Sequence, residues 1–190
     1  MTLILGISTS SPALSLALFD KGVCVGHLHE VIGRGHAERL IPAIKTLIAG
    51  RTAEALVVDI GPGSFTGIRV GLAAAHALGL AWHAPVTGVM ASILVAAAGF
   101  AAAEAAGQPV PGLTVALDAG RGQFFCQRID RGFAATATQT LAPDDIPRAP
   151  RDGLADYGPD MASLLLVPAE LRALSPHAHY VRPPDAKLPL

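Results

Sequence analysis

Gly61-Pro62-Gly63-Ser64-Phe65-Thr66-Gly67-Ile68-Arg69-Val70-Gly71 follows the apolar run Ala55 to Ile60 and opens into an alanine-rich segment that reads as a helix. Three glycines and a proline at a strand-to-helix junction describe a backbone that something approaches closely. Free N–H groups at a helix start suit an anion. Gly61, Gly63, Ser64, Thr66, Gly67 and Arg69 are therefore candidate anion or nucleotide contacts. The loop has no lysine, which excludes the phosphate-gripping GxxxxGK[ST] pattern, and Pro62 spoils a dinucleotide GxGxxG reading. The plainer alternative is a tight turn capped by Ser64 or Thr66. Ser64 does not stand in a G-x-S-x-G nucleophile motif, and no His/Asp pairing can be placed beside it. Asp59, just before the loop, is placed to anchor Arg69 in a structural ion pair.

Working outward, Leu3 to Ile7 is a continuous apolar run, as in a strand covered on both faces. Leu14, Leu16 and Leu18 alternate with Ser15 and Ala17 in a second strand, Asp20-Lys21-Gly22 marks a turn, and Val23 to Leu28 forms a third strand. Leu40, Ile41, Ile44, Leu47 and Ile48 share a helical face. Pro42 interrupts that pattern, so the helix is expected either to restart there or to kink. Ala55 to Ile60 is a fourth strand, Val86 to Val89 a fifth, and Ala91 to Ala105 a third helix.

The opening then recurs. Leu113 to Leu117 reads as a strand, Asp118 to Gly122 as a turn, Gln123 to Ile129 as a strand, Asp130-Arg131-Gly132 as a turn and Phe133 to Thr140 as a third strand. The interval from Asp20 to Asp130 equals that from Gly22 to Gly132 and from Ser8 to Asp118. Such self-similarity reads as duplication. The second copy carries less helical pattern. Leu154 to Tyr157 suggests a strand, Asp160 to Leu166 and Ala169 to Leu174 suggest short helices, and the proline-rich tail from His177 suggests an extended segment. The expectation is an α/β protein of two lobes, residues 1–109 and a reduced 110–190.

The 190 residues are 51% hydrophobic and only 15% charged, with net charge −1. A thinly charged surface suits a protein that covers part of itself with a partner. The charge balance also excludes this chain as the main electrostatic grip on a nucleic acid. Cys24 and Cys126 lie in no CxxC pattern and are expected to be reduced, buried thiols of a cytoplasmic protein. Gly67 to Ala84 reads as a buried helix and not a membrane span.

A duplicated three-strand meander followed by helices resembles the ribonuclease-H-like lobes of the actin, Hsp70 and sugar-kinase fold. Working members resemble one another in carrying a carboxylate in the first turn of each lobe, for metal-bound phosphates. Here the second copy keeps Asp118, a candidate phosphate-turn residue, but the first has Ser8 with Thr9, Ser10 and Ser11. A complete ATP-cleaving cleft is not expected. The seven histidines form no HExxH or HxxxH pair. His27 and His29 share a strand face but lack an evident third ligand, so no metal site is expected. His36 reads as a helix cap or interface residue. On the alanine-rich helix, Gly71, Ala75, Leu78 and Gly79 share a side, flanked by Leu72 and Ala74, suited both to sheet packing and to a close helix–helix interface.

The chain resembles the TsaB family. The resemblance rests on Gly6-Ile7-Ser8-Thr9-Ser10, Gly35 to Pro42, the loop Gly61 to Gly71, Ala116 to Phe125, and Tyr180-Val181-Arg182-Pro183. It implies a non-catalytic subunit that supports threonylcarbamoyl transfer to the adenosine beside the tRNA anticodon. It implies a TsaD-like catalytic partner and a TsaE-like ATPase, with tRNA met only through the complex. The helices carrying His36, Leu40 and Ile44, and Gly71, Ala74, Ala75 and Leu78, are then the interface candidates, with a homodimer an option when the partner is absent. No cofactor is implied in the isolated chain, whereas ADP or ATP is an option in the assembly. Two departures matter: Ser8 stands where many relatives have Asp, and the second lobe is short. The alternative is a stand-alone small ATPase or kinase of the same fold.

Overall fold

Two sheets of like topology carry the chain, in a computed structural model that describes residues 3–147, 154–155 and 158–182. The first contains β1 (Leu3–Ser8), β2 (Ala13–Asp20), β3 (Val23–Val31), β4 (Ala55–Asp59) and β5 (Val86–Val89), in the order β3-β2-β1-β4-β5. β1 pairs antiparallel with β2 and parallel with β4. The second contains β6 (Gly112–Gly120), β7 (Gln123–Asp130), β8 (Gln139–Leu141) and β9 (Leu154–Ala155), in the order β8-β7-β6-β9. β6 again pairs antiparallel with the next strand and parallel with the fourth. The repeated order and strand directions are what duplication of one ribonuclease-H-like lobe produces, and the fold class is the expected one.

Three helices belong to the first copy: α1 (His36–Ile48), α2 (Phe65–Trp82) and α3 (Ala91–Ala105). α1 and α2 cover one face of the first sheet, enclosing Leu5, Ile7, Leu14, Leu16, Leu56 and Val58. α3 packs against the other face, through Ala17, Phe19, Val57 and Val89. Its far side meets Leu113, Val115 and Leu117 of the second sheet. α3 is apolar all round and is covered on nearly every side from Ala91 to Phe100, where it is the layer the two sheets share; its last turn is exposed. The 3₁₀ segment Met161–Leu166 packs on α3 and supplies the only described helical cover of comparable length after β9. Leu154–Ala155 is the expected fourth strand; Asp156 and Tyr157, also read as strand, lie outside the described residues.

Three expectations need correction. α1 does not restart at Pro42 but runs through it as one helix. The carbonyl deprived of a donor is that of Glu38, an exposed residue. The strand expected from Phe133 begins only at Gln139. Phe133 instead takes a left-handed backbone (φ 62°) and sets its ring edge-on against Phe100 of α3, 5.8 Å away. That contact spends the residue on the interlobe core and delays the strand. Cys126 is buried, but Cys24, on edge strand β3, is exposed.

The glycine stretch is explained by the chain itself. An added Cβ on Gly63 would lie 2.3 Å from the Ser10 carbonyl oxygen, and one on Gly67 would lie 2.0 Å from that of Thr9. The Ser64 N–H donates to the Ser10 carbonyl at 2.6 Å, and Thr9 Oγ1 donates to the Gly67 carbonyl at 2.7 Å. What approaches the loop closely is therefore the turn after β1. Ser64 also caps α2, its Oγ accepting from the Gly67 N–H at 3.2 Å, so the capping reading holds for Ser64. Gly67→Ala should cost about 3 kcal/mol, the upper end for overpacking a close contact. Urea denaturation would show it as a large drop in midpoint, against a smaller drop for Gly107→Asn, whose position is open and left-handed, so that only backbone strain is felt.

Candidate functional site

β1 and β4 run parallel, with Ile7 opposite Val58, so their C-terminal ends lie side by side. In open α/β sheets this is the edge where ligands are met. The residues that emerge there are Ser8 and Asp59, and they bind each other. Asp59 Oδ2 accepts from Ser8 Oγ at 2.7 Å and Ser10 Oγ at 2.5 Å, while Oδ1 accepts from the Gly61 N–H at 2.8 Å. Ser8, Thr9, Ser10 and Asp59 are all buried, Asp59 at 1% exposure. Burial pushes the Asp59 carboxyl above the usual carboxylate range, against the opposing effect of donors from Ser10, Ser8 and Gly61. The first lobe's acid thus sits on β4, not in the turn, and it faces inward.

The expected Asp59–Arg69 ion pair is not formed. Asp59 is enclosed by hydroxyls, whereas Arg69 lies outside, its guanidinium 3.8 Å from the centre of the Phe65 ring. Arg69 Nε donates to Tyr180 Oη at 3.1 Å, and the Tyr180 and Phe65 rings lie 4.8 Å apart. Residues 177–182 of the tail, seen in the sequence only as extended, form a strap; residues 183–190 lie outside the described residues. The His179 N–H donates to the Ile60 carbonyl at 2.8 Å. Further along, Arg182 reaches the second lobe, donating to the Ala119 carbonyl and, at 3.3 Å, to Gln123 Oε1.

A cleft of about 670 Å³ opens between these parts. One wall is Ser10 to Pro12 with Gly63 to Gly67, the other is Asp118 to Arg121, and the strap closes an end. Of the loop candidates, Gly63, Ser64, Thr66 and Gly67 line this cleft, but Gly61 and Arg69 do not. Asp118 lines it too. Exposed on β6, its Oδ1 accepts only the Gly120 N–H, at 2.7 Å, among the hydrogen bonds of the described residues. It repeats the contact of Asp59 with Gly61, but in the open.

The interface candidates divide by burial. Leu40 and Ile44 are 1% and 3% exposed, and Ala75 is fully covered. Gly71 and Ala74 are buried as well, with a Cβ on Gly71 falling 2.6 Å from Thr9 Oγ1. These side chains serve packing on the chain's own sheet. Leu78 and His36 are half-buried. His36 is the first residue of α1, not its cap: that position belongs to Gly35, with φ 90°. The outward sides present Ala37, Ile41 and Lys45 on α1, and Ala73, Ala77 and Leu80 on α2, with Leu80 79% exposed. No described helix is long and apolar enough to cross a membrane.

Like paired sheets, a cleft between them and an acid at each lobe's strand edge define a two-lobed protein of the actin, Hsp70 and sugar-kinase type. Residues 25–146 match the family TsaD, tRNA N6-adenosine threonylcarbamoyltransferase. An uncharacterized protein of Mycobacterium tuberculosis is 31% identical over 172 residues, covering 87% of this chain and 76% of its own. The tRNA threonylcarbamoyladenosine biosynthesis protein TsaB of Escherichia coli is 36% identical over 93 residues, 45% of this chain and 39% of its own. The solved structure of YeaZ from Pseudomonas aeruginosa has the same fold, with TM-score 0.72 and 24% identity over 87% of this chain and 90% of that one. The chain belongs to this TsaD-related family, within the group named TsaB.

Sequence reading named Tyr180 and Arg182 only as part of the resemblance, without a role, and missed the inward role of Asp59. Only the apolar strand preceding Asp59 hinted at the latter, by placing a carboxylate at the end of a buried run.

A raised folded pKa makes Asp59's contribution to stability greatest below the unfolded value of about 3.9, and that contribution declines as pH rises toward the folded value. Asp59→Asn removes this titration. The wild-type stability relative to the variant should therefore fall as pH rises above about 4, read as the difference of urea midpoints. A difference that grows in favour of the wild type over that range contradicts the assignment.

Proposed function

We propose that this chain is the non-catalytic, TsaB-type subunit of threonylcarbamoyladenosine synthesis in tRNA. It pairs with a TsaD-like catalytic subunit, works alongside a TsaE-like ATPase, and meets tRNA only through that assembly in the cytoplasm. The observation that carries this reading is the filled first turn. Phosphoryl chemistry needs hard oxygen ligands open to a metal. In the first lobe the hydroxyls of Ser8 and Ser10 are committed to Asp59, and Thr9 is committed to Gly67. Family membership supplies the reaction, and the occupied turn argues that this copy supports it instead of performing it. Any ADP or ATP in the assembly then belongs to the partner or to the junction.

The surface we propose for the partner is the outward side of α1 and α2. The helices carry the candidates named from the sequence, but the side chains available to a partner are Ile41, Ala73, Ala77 and Leu80. Exposed apolar side chains on adjacent helices are suited to helix packing from a second chain.

Reconstitution tests the reading. TsaD, TsaE, tRNA and the threonylcarbamoyl donor should give modified adenosine at least tenfold faster with this chain present, and equal rates without it refute the proposal. Ala77→Glu and Leu80→Glu should abolish co-elution with TsaD while leaving the melting curve nearly unchanged, since exposed substitutions rarely exceed about 0.5 kcal/mol. Ala75→Glu should unfold the chain instead, because it buries a charge against the sheet. Persistence of the complex in both exposed variants removes the interface.

A further inference from the structure

On the far edge of the first sheet, three metal-type donors converge. His27 and His29 stand two apart on β3 and so point to the same face. Their registry partners on β2 are Ala17 and Ser15. Asp160 comes from the other end of the chain, as the residue capping the 3₁₀ segment Met161–Leu166. It is held there firmly: its Oδ1 accepts from Ser15 Oγ at 3.0 Å and from the Ala162 N–H at 2.9 Å. The Met161 N–H donates in turn to Ser15 Oγ at 2.9 Å. The sequence showed the histidine pair but not this third ligand, which folding delivers from the segment after β9.

We propose that His27, His29 and Asp160 form a divalent-metal site of the zinc class, which fastens the edge strand of the first sheet to the segment leaving the second. The ligand atoms all lie within 4.8 Å of one another. His27 Nε2 hydrogen-bonds Asp160 Oδ1 at 2.7 Å, a contact that a bound ion would replace, and His29 Nδ1 is 3.8 Å from Asp160 Oδ2. Tetrahedral zinc with bonds of about 2.0 Å sets its donors about 3.3 Å apart, so modest side-chain swings bring all three onto one ion. The 3.8 Å gap is too wide for a hydrogen bond. It leaves Oδ2 without a hydrogen-bond donor among the described residues, while Oδ1 is saturated. A carboxylate oxygen of that kind facing an imidazole nitrogen across such a gap suits a cation between them.

The donor set favours zinc over magnesium or calcium, since two imidazoles and one carboxylate are borderline ligands and not an all-oxygen cage. All three side chains keep roughly a third of their surface exposed, so an ion has a way in. His29 also lines a smaller pocket of about 280 Å³, shared with Asp118, Phe124, Gly158 and Pro159. That pocket gives the open fourth position access to water or to a ligand from the second lobe. The site lies outside the Ser8–Asp59 cluster and does not depend on the role proposed for the whole chain.

The test is calorimetric titration of the full chain with zinc, repeated with cobalt(II) followed by visible absorption. One zinc per chain is expected, with affinity falling at least about tenfold in His29→Gln and in His27→Gln, and unchanged in His76→Ala. Cobalt should give visible d–d bands that disappear in His29→Gln. Zinc should also raise the melting temperature of the wild type but not of the His27→Gln/His29→Gln double variant. Absence of stoichiometric binding, or binding that survives the double variant, overturns the site.

Discussion

The structure depends on the contact between the start of α2 and the turn after β1. Parallel pairing of β1 with β4 brings Ser8 and Asp59 together, and the glycines at 63 and 67 let the helix start seat directly on the carbonyls of Ser10 and Thr9. The side chains of Ser8, Thr9, Ser10 and Asp59 all have partners in the chain. The buried carboxyl of Asp59 accepts two hydroxyls and a backbone N–H, and Thr9 returns a hydrogen bond to Gly67. Buried polar groups are costly when unpaired and rigid when fully paired. This cluster is of the second kind, and it spends on internal cohesion the groups that a phosphate would otherwise engage.

From that contact the rest of the architecture follows in layers. α2 is fixed by its capped start, α1 lies beside it, and together they close one face of the first sheet. The opposite face goes to α3, which is shared with the second sheet and so ties the lobes through one apolar layer. The strap from His179 to Arg182 adds a second tie across the cleft, through backbone and guanidinium hydrogen bonds. The two copies keep the same strand order but not the same equipment: the acid is enclosed in the first and exposed in the second. A molecule in which one half is sealed and the other open is suited to being one side of a larger assembly, as the proposed function requires.

The strands and helices of the first lobe were legible because their periodicities are clean: continuous apolar runs for β1 and β4, alternation for β2, and small-residue helices for α2 and α3. Duplication was legible from the recurring turns and is borne out by the strand order. Pro42 misled because the packing of α1 on the sheet carries the helix through a costly proline, whose lost hydrogen bond falls on the exposed residue Glu38. Phe133 misled because its edge-on contact with Phe100 is made to a helix distant in sequence. The site was half legible. The glycine stretch announced a close approach, but what approaches could be known only once β1 and β4 were paired. Small residues on α2 signalled tight packing without saying whether the tight neighbour was another chain or the chain's own Thr9. Asp160 was invisible as a ligand because it is brought to His27 and His29 from the other end of the chain.

The central claim is that the first-lobe turn is filled by the chain itself and takes no metal-bound phosphate. Its most direct test is an amide NMR titration of the isolated protein with magnesium and ATP, following Ser8 to Ser11 and Gly63 to Gly67. The account predicts that these resonances stay in place through millimolar nucleotide. Saturable shifts concentrated at those amides, dependent on magnesium, would contradict it.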